Sequence, residues 1–171
     1  GKYNIPLRVL SSSKEGPGTL ITYSQSSCKE AFSVTGIAFS RNEAQVSLVG
    51  APNRPGIASD ILTEISAIGV NVDMIGQSIS VNHEMDFTFT VHRDEYKPTI
   101  HLLRKIAHEL GVRDVRGVEN LSKLSLVGSG LKSHVDVAPK MLKTLSSMGI
   151  NIQLISTSEI KISVIIEESS L

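Results

Sequence analysis

The feature that most constrains this chain is an internal repeat, because a duplicated unit fixes the order of elements twice over. Ser47-Leu48-Val49-Gly50 recurs as Ser125-Leu126-Val127-Gly128. A loop follows each, and then apolar residues at helical spacing: Ile57, Ile61, Leu62, Ile65 and Ile68, against Val137, Met141, Leu142, Leu145 and Met148. Gly69 and Gly149 stop the two helices, the residue type suited to a left-handed cap. Val70–Ile75 and Ile150–Ile155 then alternate apolar and polar residues before their last pair, which predicts strands with one buried face. Ala58/Ala138, Leu62/Leu142, Ser66/Ser146, Gly69/Gly149, Asn71/Asn151 and Ile75/Ile155 are identical pairs.

The first copy continues through an alternating strand, Met85–Val91, and a helix over roughly Pro98–Leu110 that ends at Gly111. A short strand, Val112–Val118, closes it. The order β-α-β-β-α-β is the ferredoxin-like plan, so the fold class is α+β: two modules, each an antiparallel four-stranded sheet with helices on one face. The first module is expected over 40–120. The second lacks its last helix and strand after Ile160–Ile166, which points to a trimmed C-terminus. Val34-Thr35-Gly36-Ile37 resembles the closing strand Val115-Arg116-Gly117-Val118. An unpaired sheet edge is a liability, so the second module is expected to borrow Ser33–Phe39 and to comprise 33–39 plus 121–171. Residues 1–32 differ in character: a strand at Ile5–Leu10, a turn at Gly16-Pro17-Gly18 and a polar linker at Ser24–Glu30 read as the tail of a preceding domain.

Composition removes several function classes. Lys and Arg number 17, Asp and Glu 17, and aromatics are 4% with no Trp, which argues against a nucleic-acid partner. No apolar run approaches the length of a membrane span. One Cys, Cys28, allows no internal disulfide, and the N-terminus is not signal-like, so a cytoplasmic setting is expected. No phosphate loop or metal cluster supports an enzyme within these residues.

Gly50-Ala51-Pro52-Asn53-Arg54-Pro55-Gly56, ahead of the first helix, carries the chemistry. Pro55 pre-sets a helical turn and Gly56 lets a ligand approach the backbone. Free N–H groups at a helix start bind a carboxylate, and carbonyls at the end of the second strand would take an ammonium, so the loop suits a free amino acid. Pro-Gly also punctuates ordinary strand-to-helix turns.

The runs G-A-P-N-R-P-G-I-A, V-N-V-D-M-I-G-Q-S and M-D-F-T-F-T-V-H resemble the first ACT module of aspartate kinases. S-L-V-G-S-G-L-K-S-H and I-N-I-Q-L-I-S-T-S-E-I-K-I-S-V-I-I are similar to their second module, and Ile5–Ser12 with Gly16–Thr19 to the end of their catalytic domain. The resemblance implies a regulatory, non-catalytic region of an enzyme that phosphorylates aspartate. An end-product amino acid, threonine or lysine, would bind it and inhibit the kinase. ATP and Mg would belong to the parent's catalytic domain, with no cofactor in this chain. It also implies a homodimer through the ACT modules. The implied effector residues are Asn53, Pro55, Gly56, Ile57, Ala58, Asn71, Val72, Asp73 and Gln77, with Asn151, Ile152 and Thr157 from the other module. Two departures matter. Asn53 stands where the family often has an acid, and Val135-Asp136 stands where a Gly usually follows the Lys132-Ser133-His134 run, so the second loop is expected to bind poorly. Short polar Asn53 and Gln77 suit a hydroxyl, which favours threonine. The alternative is a ligand-free ACT dimerisation module.

Other candidates lead to plain expectations. His101 and His108, seven apart, are surface residues rather than metal ligands, and His83 and His92 are strand-end positions. Gly128-x-Gly130 lacks the rest of a dinucleotide fingerprint. Phe87 and Phe89 are core residues rather than a base-stacking pair, since the flanking basic and glycine residues are missing.

Overall fold

In a computed structural model of the chain, residues 7–9, 19–21, 33–80, 82–129, 131 and 135–170 are described. The chain divides into two compact units, 1–31 and 32–171. In the first, β1 (Leu7–Val9) and β2 (Thr19–Ile21) pair antiparallel. The strand expected at Ile5–Leu10 is therefore present as β1, whereas the turn at 16–18, the linker at 24–30 and Cys28 lie outside the described residues.

The second unit is built on one antiparallel sheet. Its strands are β3 (Ser33–Pro52), β4 (Ile75–Ile79), β5 (Glu84–His92), β6 (Asp114–Ser129), β7 (Ile152–Thr157) and β8 (Lys161–Glu167). They lie in the order β4-β5-β3-β6-β8-β7. The helices are α1 (Ile57–Ala67), α2 (Arg93–Leu110) and α3 (Val137–Ser147), and a 3-10 turn follows at Glu168–Ser170. This is the α+β plan read from the repeat, with one difference: the sheets of the two halves are pooled. Two long strands do the pooling. Gln45–Val49 of β3 pair with Asp114–Val118 of β6, while Ser33–Ser40 pair with Lys123–Ser129. Between these stretches the register shifts on both sides of Glu43, and Asn120 takes φ 61°, a left-handed conformation that an Asn tolerates better than most residues. Strands anticipated as separate thus run on as one, bent where the halves meet.

The first half is closed on its helix side. Ile57, Ile61 and Ile65 of α1, spaced one turn apart, bury against Leu48, Phe87 and Phe89. Each such side chain removed from water contributes roughly 1.5–3 kcal/mol. On the same face α2 brings Ile100 and Leu103 to the same cluster. Gly117 on β6 makes that approach possible, because a Cβ there would stand 2.5 Å from a Tyr96 ring carbon and 2.7 Å from Ile100 Cδ1. Phe87 and Phe89 are core residues with centroids 6.0 Å apart, as expected.

Two boundaries differ from expectation. Helix α2 starts at Arg93, not near Pro98, because His92 caps it by accepting from Asp94 N and the first turn carries Asp94 and Glu95. Pro98 sits inside the helix, freeing only the Asp94 carbonyl, on an exposed residue. The second strand starts later than Val70. Val70 and Val72 pack on the core without joining the ladder, and pairing begins where Asp73 N donates to Thr90 O at 3.0 Å.

In the second half α3 covers Leu124, Val164 and Ile166 through Leu145, with Met141 and Leu142 against the same cluster. No second helix accompanies it among the described residues. Ile37 and Phe39 pair with Leu126 and Leu124 and stay 67% and 61% exposed beside α3. A small third cluster, Met74 with Leu121, Leu154 and Ile165, joins the two halves.

Candidate ligand-binding site

A cleft of about 440 Å³ lies at the start of α1. It is lined by Asn53, Arg54, Pro55, Gly56, Ile57, Ala58, Ser59, Gln77 and Met85. Gly56, the N-cap, has φ 93° and ψ −19°. No L side chain adopts that conformation readily, and the turn it makes lets the chain enter the helix sharply. The first intrahelical bond is Asp60 N to Gly56 O, so the amides of Ala58 and Ser59 have no partner within the helix. The positive end of the helix dipole adds to them. Arg54 completes a cationic side: its Nη2 is 2.8 Å from Asp60 Oδ2, and its Nη1 donates to the Pro55 carbonyl at 3.5 Å. Opposite, Gln77 on β4 brings an amide with both donor and acceptor. The arrangement offers a carboxylate amide donors and a guanidinium, with the side-chain amides of Asn53 and Gln77 for a second polar group.

Six of the twelve residues singled out from sequence meet in this cleft: Asn53, Pro55, Gly56, Ile57, Ala58 and Gln77. Arg54, Ser59 and Met85 were missed. Arg54 lay in the quoted loop and its charge was the available signal. Met85 arrives by strand register, opposite both Ala51 and Ile79, which the sequence does not display. Asn71 and Asp73 line a different cleft, of about 510 Å³, with Glu43, His92, Asp94 and Glu95. Val72 packs against the first core. Thr157 lines a third cleft with Leu131, Val135, Ala138, Ser158, Glu159 and Ile162. Ile152 packs beneath α3, and Asn151 is exposed. Within one chain, then, no residue of β7 lines the Gly56 cleft, although Leu154 of β7 lies close to Gly76 of β4.

The start of α3 is built differently. Its N-cap, Asp136, has φ −92° and ψ −12°, and Asp136 pairs with Lys140 one turn on. Lys132, Ser133 and His134 lie outside the described residues, as does Gly130.

Asp73 belongs to an ion-pair group at the junction of the halves. Lys123 Nζ on β6 donates to Asp73 and stands 3.7 Å from Glu43 Oε1. The side chain of Glu43 is 8% exposed and that of Lys123 22%. Burial works against the Lys123 charge, but the hydrogen bond to Asp73 and the charges of Glu43 and Asp73 outweigh it and hold the ammonium pKa above its ordinary value. Among the described residues no group of three His, Cys, Asp or Glu is placed to hold a metal. His101 and His108 are both exposed on α2. No helix of the described residues is long and apolar enough to cross a membrane.

The family model of the ACT domain matches residues 46–108, and a second ACT-domain model matches residues 124–171. A crystal structure of aspartokinase alpha and beta subunits is 44% identical, with a TM-score of 0.74 over 80% of this chain and 90% of that one. The chain belongs to the aspartate kinase family. Within that family it corresponds to the regulatory region. The ligand-free regulatory subunit of aspartate kinase from Thermus thermophilus is 36% identical, with a TM-score of 0.74 over 80% of this chain and 89% of that subunit. The aspartate kinase of Pseudomonas fluorescens (strain SBW25) is 51% identical over 171 residues, all of this chain, which spans 41% of that relative's length. The regulatory region thus carries two ACT domains, the second of which holds one α-helix, α3, among the described residues.

Proposed function

We propose that this regulatory region senses a free amino acid, with threonine favoured over lysine, and thereby restrains aspartate phosphorylation by a kinase domain of its parent protein. The observation that carries the reading is the α1 start: a left-handed Gly56 that opens two unpartnered helix amides onto a cleft also lined by Arg54, Asn53 and Gln77. A carboxylate fits the amides and Arg54, and a hydroxyl fits the two side-chain amides. No acidic residue lines this cleft, so an ε-ammonium has no counter-charge there, which is why threonine is preferred.

In this reading the first module comprises 40–120, the second 33–39 with 121–171, and residues 1–32 are the tail of the kinase domain and a linker. ATP and Mg serve that domain in the cytoplasm. β4 and β7, the two edge strands, supply the pairing surfaces of a homodimer. Asn71, Val72, Asp73, Asn151, Ile152 and Thr157 complete the effector site when modules from two copies meet. Effector binding then favours the inhibited arrangement because it binds that arrangement more tightly, with coupling of about 1–3 kcal/mol.

Calorimetric titration of the chain with threonine and with lysine tests this. Binding of threonine at one site per chain is the expected result, and two equivalent sites would contradict the assignment of the second loop. One observation favours a second reading, a dimerisation module without ligand: Ile75, Ile79 and Ile155 are exposed on the edge strands. That reading prevails if neither amino acid binds at millimolar concentration while the chain sediments as a dimer.

A further inference from the structure

The proposed cleft and the second module share no residue, yet one short segment touches both. Asp73 and Met74 lead from α1 into β4, and β4 carries Gln77 to the cleft. Their backbone is fixed to β5: Asp73 N donates to Thr90 O at 3.0 Å and Thr90 N to Met74 O at 2.9 Å. Met74 N also donates to the buried Thr90 Oγ1 at 3.0 Å. Their side chains reach the other way. Met74 packs among Leu121, Leu154 and Ile165, all on strands of the second half, and Asp73 is held by Lys123. Gly76, next but one, lies so close to β7 that a Cβ would meet Leu154 Cδ1 at 3.1 Å.

Lys123 is unusual in this setting. It stands opposite Ser40, one pair beyond Leu121 and Glu43, at the bend where β3 and β6 pass from one half to the other. Its ammonium serves two carboxylates from two different parts of the chain, one on β3 and one ahead of β4. A buried Glu43 requires that charge. Asp73, about half-exposed, does not. Asp73 is therefore the partner whose position the pair determines, rather than one needed to neutralise the site.

We propose that Lys123 is a positioning residue of the effector cleft: by holding Asp73 it fixes the start of β4, and with it Gln77, and it carries the effect of a bound amino acid into β7 and β8. The proposal rests on the reading of the Gly56 cleft as an amino-acid site, and its test separates the two. Lys123→Met alone would leave Glu43 charged and buried, so the informative variant is Lys123→Met with Glu43→Gln. Asp73→Asn is the milder partner, since it keeps the buried Glu43–Lys123 pair.

Hydrogen exchange of the full chain is measured first without ligand. In both variants the amides of Asp73–Ile79 are expected to exchange about tenfold faster while those of α1 and α3 keep their rates. Lys123→Arg is expected to restore the native pattern. Threonine is then titrated into each protein. The double variant is expected to bind at least about fivefold more weakly, and to lose the threonine-induced slowing of exchange in Ile152–Thr157. Unchanged exchange at Asp73–Ile79, or acceleration spread evenly over the fold, overturns the positioning role. So does a double variant that binds threonine as the native chain does and still protects β7. If the native chain binds neither threonine nor lysine, the reading of the cleft fails, and the ligand-free exchange pattern decides the role of Lys123 by itself.

Discussion

The two helix starts occupy equivalent positions of the repeat and differ in backbone conformation at the N-cap. At α1 Gly56 holds φ 93°, and at α3 Asp136 holds φ −92°. Space is not what separates them, since a Cβ at Gly56 would meet nothing closer than an Arg54 nitrogen at 3.8 Å. Backbone conformation is. Gly56 admits a turn that leaves two amides facing an open cleft, while Asp136 places a carboxylate paired with Lys140 at the start of its helix. The cores differ in parallel: the first is closed by α1 and α2, and among the described residues the second has α3 alone. A duplicated fold can thus keep its strands and helices while the two helix starts take different backbone conformations.

The largest expected effect tests the cores. Phe89→Ala, at a fully buried position, should lower unfolding free energy by about 3–5 kcal/mol. The same change at exposed Phe39 should stay within about 0.5 kcal/mol. Chemical denaturation of both variants measures the contrast, and equal losses would erase it. Next, Gly56→Ala should cost about 1–2 kcal/mol through its left-handed backbone. Calorimetry should show threonine affinity falling with it.

Asp136→Gly sharpens the comparison from the other side. It should change stability by only a few tenths of a kcal/mol and add a second, weaker threonine event; a stoichiometry still at one would mean that more than this residue separates the loops. Lys123 supplies a pH signature at the junction of the halves. Its folded pKa lies above the ordinary 10.5, so its contribution is complete below that pH and is lost as pH rises through the folded value. Melting temperature followed above pH 10 should fall more steeply in the native chain than in Lys123→Met with Glu43→Gln. Smallest of all, Arg54→Lys should alter stability by about 0.2–1 kcal/mol, because the Arg54–Asp60 pair is exposed.

The repeat made much of the fold legible, since helix spacing and strand alternation appear twice and check each other. It did not reveal that β3 and β6 run unbroken across both halves, because a bend at Glu43 and Asn120 leaves no composition signal. Pro98 looked like a helix start, yet the cap at His92 and the acids after it outweighed one missing amide proton. Val70–Val72 alternate as a strand would and bury as one, but backbone pairing waits until Asp73. At the cleft, loop residues were readable from Pro-Gly chemistry. Met85 was not, for it arrives by register, and the Lys123–Asp73 contact joins residues 50 positions apart.

The unbroken β3 also bears on how the chain folds. Thr35 bonds to Val127, 92 residues further along. During synthesis, at roughly 5–20 residues per second, the first part of β3 waits on the order of 5–20 s for its partner to be made. Its exposed valine, isoleucine and phenylalanine remain available to other chains for that interval. The sheet that unites the two ACT domains is, by the same token, the step most open to misassembly.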